Sequence, residues 1–146
     1  MKLLVLNGPN INMLGIREPD LYGNETYRDL VRKITNECRR RGIKVAVRQS
    51  NCEGKLVTEI QKARGRYDGI ILNAAAYTHT SIAILDALKC SRLPCAEVHI
   101  TDIKEREEYR ARSFVSEYAF VVIKGEGTNG YVHAVDALVN YLKKQD

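Results

Sequence analysis

Apolar and polar residues follow two alternating periodicities along this chain. Short apolar runs at Lys2 to Asn7, Ile43 to Gln49, Gly69 to Asn73, Ala96 to Ile100 and Ala119 to Lys124 have the length and bounding residues of β-strands. Between them the apolar positions recur every three or four residues. Leu30, Val31, Ile34 and Cys38 form one such stripe, and Leu56, Val57, Ile60 and Ala63 a second. A third helix is predicted over Ser81 to Cys90, and Val132, Val135, Leu138, Val139 and Leu142 mark a closing one. Thr26 and Asp29 stand at capping-box spacing before the first stripe, and Gly42 supplies its stop. The charged segment Lys104 to Arg112 predicts a further short helix.

Strand and helix alternate throughout, which predicts an α/β fold: a flavodoxin-like, doubly wound, five-stranded parallel sheet with helices on both faces, in three α/β/α layers. No linker, repeat or low-complexity segment interrupts the pattern, so residues 1–146 are expected to form a single catalytic domain. In an open sheet of this kind ligands bind beyond the carboxyl ends of the strands. Two histidine motifs fall there, Asn73 to Ser81 after the third strand and Glu97 to Thr101 at the end of the fourth. They point to one shared pocket.

Composition narrows the function classes. The first apolar run is shorter than the roughly 7-residue core of a signal peptide and nothing approaches a membrane span, so a soluble, cytoplasmic protein is expected. The four cysteines, Cys38, Cys52, Cys90 and Cys95, lack the spacing of a zinc knuckle or a redox dithiol, so neither metal nor disulfide is expected. The formal net charge of +5 is spread along the chain. Its one basic run, Arg39 to Arg41, sits where a helix ends and complements the negative end of the helix dipole. Small anions fit this pattern better than nucleic acid.

Gly8 to Glu25 is a long loop for a strand-to-helix connection, where about 2 to 6 residues is usual. It is either a solvated run of turns or a lid, and Arg17 with Tyr22 favours a lid. A phenol, with a pKa of about 10, is a poor base near neutral pH, but a neighbouring guanidinium favours its ionised form. At the fourth strand, Glu97 and His99 are two residues apart and share one face. A carboxylate so placed orients an imidazole and suits it to general-acid work, or simply forms a structural pair with it. His79 lies among Thr78, Thr80 and Ser81, hydroxyl residues that also cap helices. Arg106 and Arg110, four apart, either clamp an anion or pair with Glu107 and Glu108 on a solvated face. Gly125 to Gly130 matches the spacing of the dinucleotide fingerprint but lacks the following strand with its acidic residue, so it reads as a glycine-rich turn.

Several multi-residue motifs, in order over nearly the whole chain, resemble one family. Asn7-Gly8-Pro9-Asn10, Leu14 to Gly23, Arg48 to Asn51, Asn73 to Ser81, Glu97-Val98-His99 and Gly125 to Tyr131 are similar to the type II 3-dehydroquinate dehydratases. The resemblance implies a cytoplasmic lyase of the shikimate pathway, acting on 3-dehydroquinate, without metal or organic cofactor, and a homododecamer built as a tetramer of trimers. It implies that Tyr22 takes the proton beside the substrate ketone and that Arg17 favours its phenolate. Asn10 would hold the water that stabilises the enolate, His99 would protonate the departing hydroxyl, and Glu97 would orient His99. Asn73, His79, Ile100, Thr101 and Arg110 would bind the substrate, Arg106 would contribute from the lid side, and Asp86 would reach the site of a neighbouring subunit. Ala75 stands where the family frequently has glycine, and Thr101 where it frequently has serine. An alanine is accommodated there unless the backbone demands a positive φ.

Overall fold

A computed structural model describes residues 1–145. Five parallel strands, β1 (Lys2–Asn7), β2 (Lys44–Gln49), β3 (Gly69–Asn73), β4 (Cys95–His99) and β5 (Val121–Lys124), form one sheet in the order β2-β1-β3-β4-β5. After the short α1 (Pro19–Tyr22), four helices cover the sheet: α2 (Tyr27–Arg40), α3 (Glu53–Ala63), α4 (Ile82–Ser91) and α5 (Asn129–Lys143). Alternation along β1 divides the core. Leu3 and Val5 pack with Leu30 and Ile34 of α2 and with Val135 and Leu138 of α5. Leu4 and Leu6 point the other way, onto Leu56 and Ile60 of α3 and Ile84 and Leu88 of α4. The result is the predicted three-layer arrangement, in which β1, covered on both faces, is apolar at each position from Leu3 to Leu6.

Local chemistry sets the element ends. Thr26 Oγ1 accepts the Asp29 N–H while the Asp29 carboxylate accepts the Thr26 N–H, closing the capping box of α2. Gly42, at φ 68°, turns the chain out of that helix. The basic run beside it is not left to the dipole alone: Arg40 and Arg41 pair with Glu37, and Arg41 also with Asp136 of α5. The fourth helix starts at Ile82 because Ser81 caps it, its side chain accepting the Ile84 N–H. The single helix expected over Lys104 to Arg112 is instead two 3₁₀ turns, Ile103–Glu105 and Glu108–Arg110, separated by Arg106 in extended conformation. The Asp102 carboxylate holds the first turn by accepting the Lys104 N–H. The fifth strand begins at Val121, two residues later than its apolar run, because the turn Val115–Glu117 extends forward through the Ala119 N–H bond to the Val115 carbonyl.

The chain builds β2 on one side of β1 and then crosses to β3 on the other. The crevice at this reversal lies beyond the paired residues Asn7 and Asn73. Here the backbones leaving β1 and β3 nearly touch. The Gly8 N–H donates to the Asn73 carbonyl at 2.7 Å, and a Cβ on Gly8 would stand 2.4 Å from the Ala74 carbonyl oxygen. One residue on, Ala75 has φ 52°, a left-handed conformation that costs an L-residue about 1 to 2 kcal/mol. The positive φ that would tell against alanine is therefore present.

Two stability changes follow from this close approach. Gly8→Ala should lower stability by about 2 kcal/mol, since backbone rather than a flexible side chain must give way; urea unfolding with a loss under about 0.5 kcal/mol would contradict this. Ala75→Gly should raise stability by about 0.5 kcal/mol, the relief of the left-handed strain less the greater entropy of unfolded glycine; a loss above about 1 kcal/mol in the same assay would contradict it.

Candidate active site

The carboxyl end of β4 carries a buried ionic group. Glu97 is 0% exposed and lies one strand-alternation step behind His99, itself 4% exposed. A carboxylate so deep is tolerated only if hydrogen bonds replace its water. Glu97 Oε1 accepts from His99 Nε2 at 2.6 Å, from Thr78 Oγ1 at 2.9 Å and from Ser113 Oγ at 2.5 Å, and Oε2 accepts from Ser116 Oγ at 2.5 Å. Burial alone would push this carboxyl up, but the His99 hydrogen bond and charge, with the serine hydroxyls, outweigh it and hold Glu97 below the ordinary glutamate value. With Nε2 engaged, Nδ1 is the His99 nitrogen left for the cavity in front of it.

That cavity brings most of the expected residues together. Asn10, Arg17 and Tyr22 line it from the loop after β1, and Asn73 and His79 from the segment after β3. His99, Ile100, Thr101, Arg106 and Arg110 complete it from β4 and the turns beyond, with Ile11, Ala75, Ala76 and Ile103 filling the apolar wall. Tyr22 on the loop and His99 on the strand tip therefore face one space. The long loop is folded over this space as a lid.

The guanidinium nearest the Tyr22 hydroxyl is not Arg17. Arg106 Nη1 donates to Tyr22 Oη at 2.8 Å, whereas Arg17 lies over the ring face, 4.9 Å from its centroid, with its Nε on Glu18. Extending the backbone at Arg106, which broke the expected helix, lets this side chain and Arg110 both line the cavity. Arg110 lines the cavity with its Nε buried, 3.0 Å from Glu107 Oε2 but not aligned to donate to it. With Arg17, three guanidiniums surround one small space.

Other side chains fix the rim. His79 Nδ1 donates to the Arg112 carbonyl at 2.7 Å. Burial, opposed in part by that bond and reinforced by the charges of His99, Arg110 and Arg106, holds the His79 imidazolium value below its usual range, so His79 is neutral near pH 7 and keeps Nε2 as an acceptor. Asn73 Nδ2 donates to the buried Tyr131 hydroxyl at 2.9 Å, and its Oδ1 accepts the Ala75 N–H at 3.1 Å, which supports the left-handed turn. The Tyr131 hydroxyl in turn donates to Asn7 Oδ1 at 2.7 Å. Asn10 is held through its N–H to Asn51 Oδ1, an atom that also accepts from Gln49.

Two expected residues lie outside the cavity. Glu97 acts from behind His99, and Asp86 is exposed on α4. Sequence reasoning missed the hydroxyl cage. Thr78, by type and position a candidate cap, is fully buried against Glu97, and Ser113 and Ser116 reach the same carboxylate from a polar segment without a motif of its own. Their spacing of three, opposite a buried acid, was the only available signal. The glycine-rich turn is a structural dock: Gly127 N–H donates to the Ile100 carbonyl at 3.0 Å, with Gly125 and Gly127 at positive φ. Among the described residues no three His, Cys, Asp or Glu side chains gather as a metal site, and no helix is long and apolar enough to cross a membrane.

Comparison with known proteins agrees with this geometry. The chain is 50% identical to a 3-dehydroquinate dehydratase of Corynebacterium glutamicum (strain R) over 143 residues, 98% of each chain. It is likewise 50% identical to the enzyme of that name from Clostridium acetobutylicum, covering 99% of this chain and all of the relative. The crystal structure of the type II dehydroquinase from Butyrivibrio crossotus superposes with a TM-score of 0.93 at 47% identity, over 95% of this chain and 97% of that one. The family model described as dehydroquinase class II matches residues 1–139. With its fold, its cavity and these relatives in agreement, the chain belongs to the class II dehydroquinase family.

Proposed function

We propose that this chain dehydrates 3-dehydroquinate to 3-dehydroshikimate by acid–base catalysis through an enolate, with Tyr22 as base and His99 as acid. The reading is carried by one observation, that the Tyr22 and His99 side chains line the same cavity from a lid and from a rigid strand tip. The ionised Tyr22 oxygen takes a proton from the carbon next to the ketone, and the electron pair moves onto the carbonyl oxygen. Asn10, beside that position, holds a water that donates to the enolate oxygen. The enolate then collapses, the hydroxyl one carbon further leaves with a proton from His99, and a conjugated enone and water result.

Each neighbouring group has a part in this sequence. Arg106, hydrogen-bonded to the phenolic oxygen, stabilises its negative charge, and Arg17 adds a second cation over the ring. Glu97 orients His99 and stabilises its imidazolium. Arg110 binds the substrate carboxylate, and Asn73, the neutral His79 and the Ile100-Thr101 segment bind its hydroxyls. No lysine lines the cavity, which favours the enolate route over an imine. Asp86, on the exposed face of α4, is assigned to a neighbouring subunit's site within a cytoplasmic dodecamer, so that activity depends on assembly.

Mixing the purified protein with 3-dehydroquinate tests the reading. Ultraviolet absorption of a conjugated enone should appear and should survive prior borohydride treatment of enzyme with substrate. In Tyr22→Phe the substrate should still bind while kcat falls about 10² to 10⁴-fold. No enone from folded, assembled protein would reject the function; near-normal turnover of the variant would reject Tyr22 as the base.

A further inference from the structure

A second polar cluster lies outside the cavity, where the lid rejoins the body of the fold. Gly15 and Gly23, at φ 83° and 80°, bracket the lid segment that carries Tyr22. Two residues past the second glycine, Glu25 meets Lys33 of α2. The Lys33 ammonium donates to Glu25 Oε1 at 2.7 Å, to Thr128 Oγ1 at 2.6 Å and to Asn129 Oδ1 at 3.2 Å, which accounts for all three of its protons. Thr128, 6% exposed, donates in turn to Glu25 Oε2, so lysine, carboxylate and hydroxyl form a closed ring.

The ring ties the lid's exit and the adjoining α2, whose Lys33 is 8 residues from Glu25, to the start of α5, where Thr128 is 95 residues from Lys33. Thr128 directly follows Gly127, whose N–H holds the Ile100 carbonyl at the cavity edge. The anchor is thus tied to the same strand end that presents His99. An isolated exposed ion pair contributes little to such an arrangement, but here the part-exposed Lys33–Glu25 pair closes on the buried Thr128 hydroxyl and every lysine proton has an acceptor. Lys33 and Thr128 also hold the Glu25 carboxyl below its ordinary range, which keeps the ring charged at neutral pH. A hinge gives one closed position only if its fixed end is rigid. Among the described residues the one side-chain hydrogen bond between the Tyr22 phenol and the body runs to Arg106, on the extended link between two 3₁₀ turns, so the hinge end has to supply the remaining constraint.

We infer that Lys33 is a positioning residue for Tyr22: with Glu25 and Thr128 it clamps the exit hinge of the lid and so fixes where the phenol stands relative to His99. The inference rests on the reading of Tyr22 as the base for its catalytic consequence, but not for its effect on the lid. Hydrogen exchange read by mass spectrometry on the intact protein, beside steady-state kinetics, tests both. In Lys33→Met the amides of Leu21, Tyr22 and Gly23 should exchange about fivefold to tenfold faster, and kcat/KM should fall by a similar factor, with α2 and α5 exchange unchanged. Lys33→Arg, which keeps a charged donor, should recover most of both effects. Lys33→Met combined with Glu25→Gln should be no worse than Lys33→Met alone, because the two act as one unit.

Unchanged lid exchange in Lys33→Met overturns the clamp, even if the wild type is fully active. Exchange that rises equally across α2, α5 and the lid also overturns it, since Lys33 would then only hold the helices. Faster lid exchange in a protein whose wild type makes no enone supports the clamp and counts against Tyr22 as base.

Discussion

A carboxylate with no access to water organises the catalytic end of this fold. Glu97 sits on the central part of the sheet, between apolar layers, where an unpaired charge would be costly by several kcal/mol. It is retained in ionised form because an imidazole and three hydroxyls from different segments converge on its two oxygens. These contacts tie together β4, the turn after β3 and the segment before β5. They also set which histidine nitrogen faces outward, so one buried interaction serves both the fold and the chemistry. Because the folded value is depressed, the stability it contributes is present above the ordinary glutamate range and is lost as pH falls through the folded value.

The remaining geometry depends on how closely two backbones approach at the sheet's reversal. Gly8 against Ala74 brings the loop carrying Asn10 and the lid next to the turn carrying His79. The buried chain Asn7, Tyr131 and Asn73 locks the strand ends beneath them, with α5 supplying the phenol. Ala75 is held in a strained conformation at the same place. Strain, a missing Cβ and a buried polar network within a few residues of one another mark a site where placement outweighs local preference.

Much of this was legible from residue order. The period-2 strands, the 3.6-period helices, the capping box at Thr26 and the histidines at strand ends follow from local physics that the tertiary structure leaves intact. What escaped was non-local. The hydroxyls around Glu97 come from positions 16 to 19 residues away, and serine and threonine have no sequence mark that separates a cap from a carboxylate ligand. The helix expected over Lys104 to Arg112 gives way where Arg106 extends to the Tyr22 hydroxyl, a contact across 84 residues, while Arg17 lies over the ring of the same tyrosine. Nothing local distinguishes Lys33 from the other charged residues of α2; its partners Glu25, Thr128 and Asn129 are assembled by the fold.

The state of Glu97 tests the account most directly. A ¹³C NMR titration of the side-chain carboxyls, with the Glu97 signal assigned by its loss in Glu97→Gln, reads that state without any assumption about substrate. The account predicts that the Glu97 carboxyl stays ionised as pH is lowered through 4.5, the ordinary glutamate value, and titrates below it. A Glu97 carboxyl that takes up its proton above that value would show that burial has won over the imidazole and the hydroxyls, and would remove the ion pair on which the placement of His99 depends.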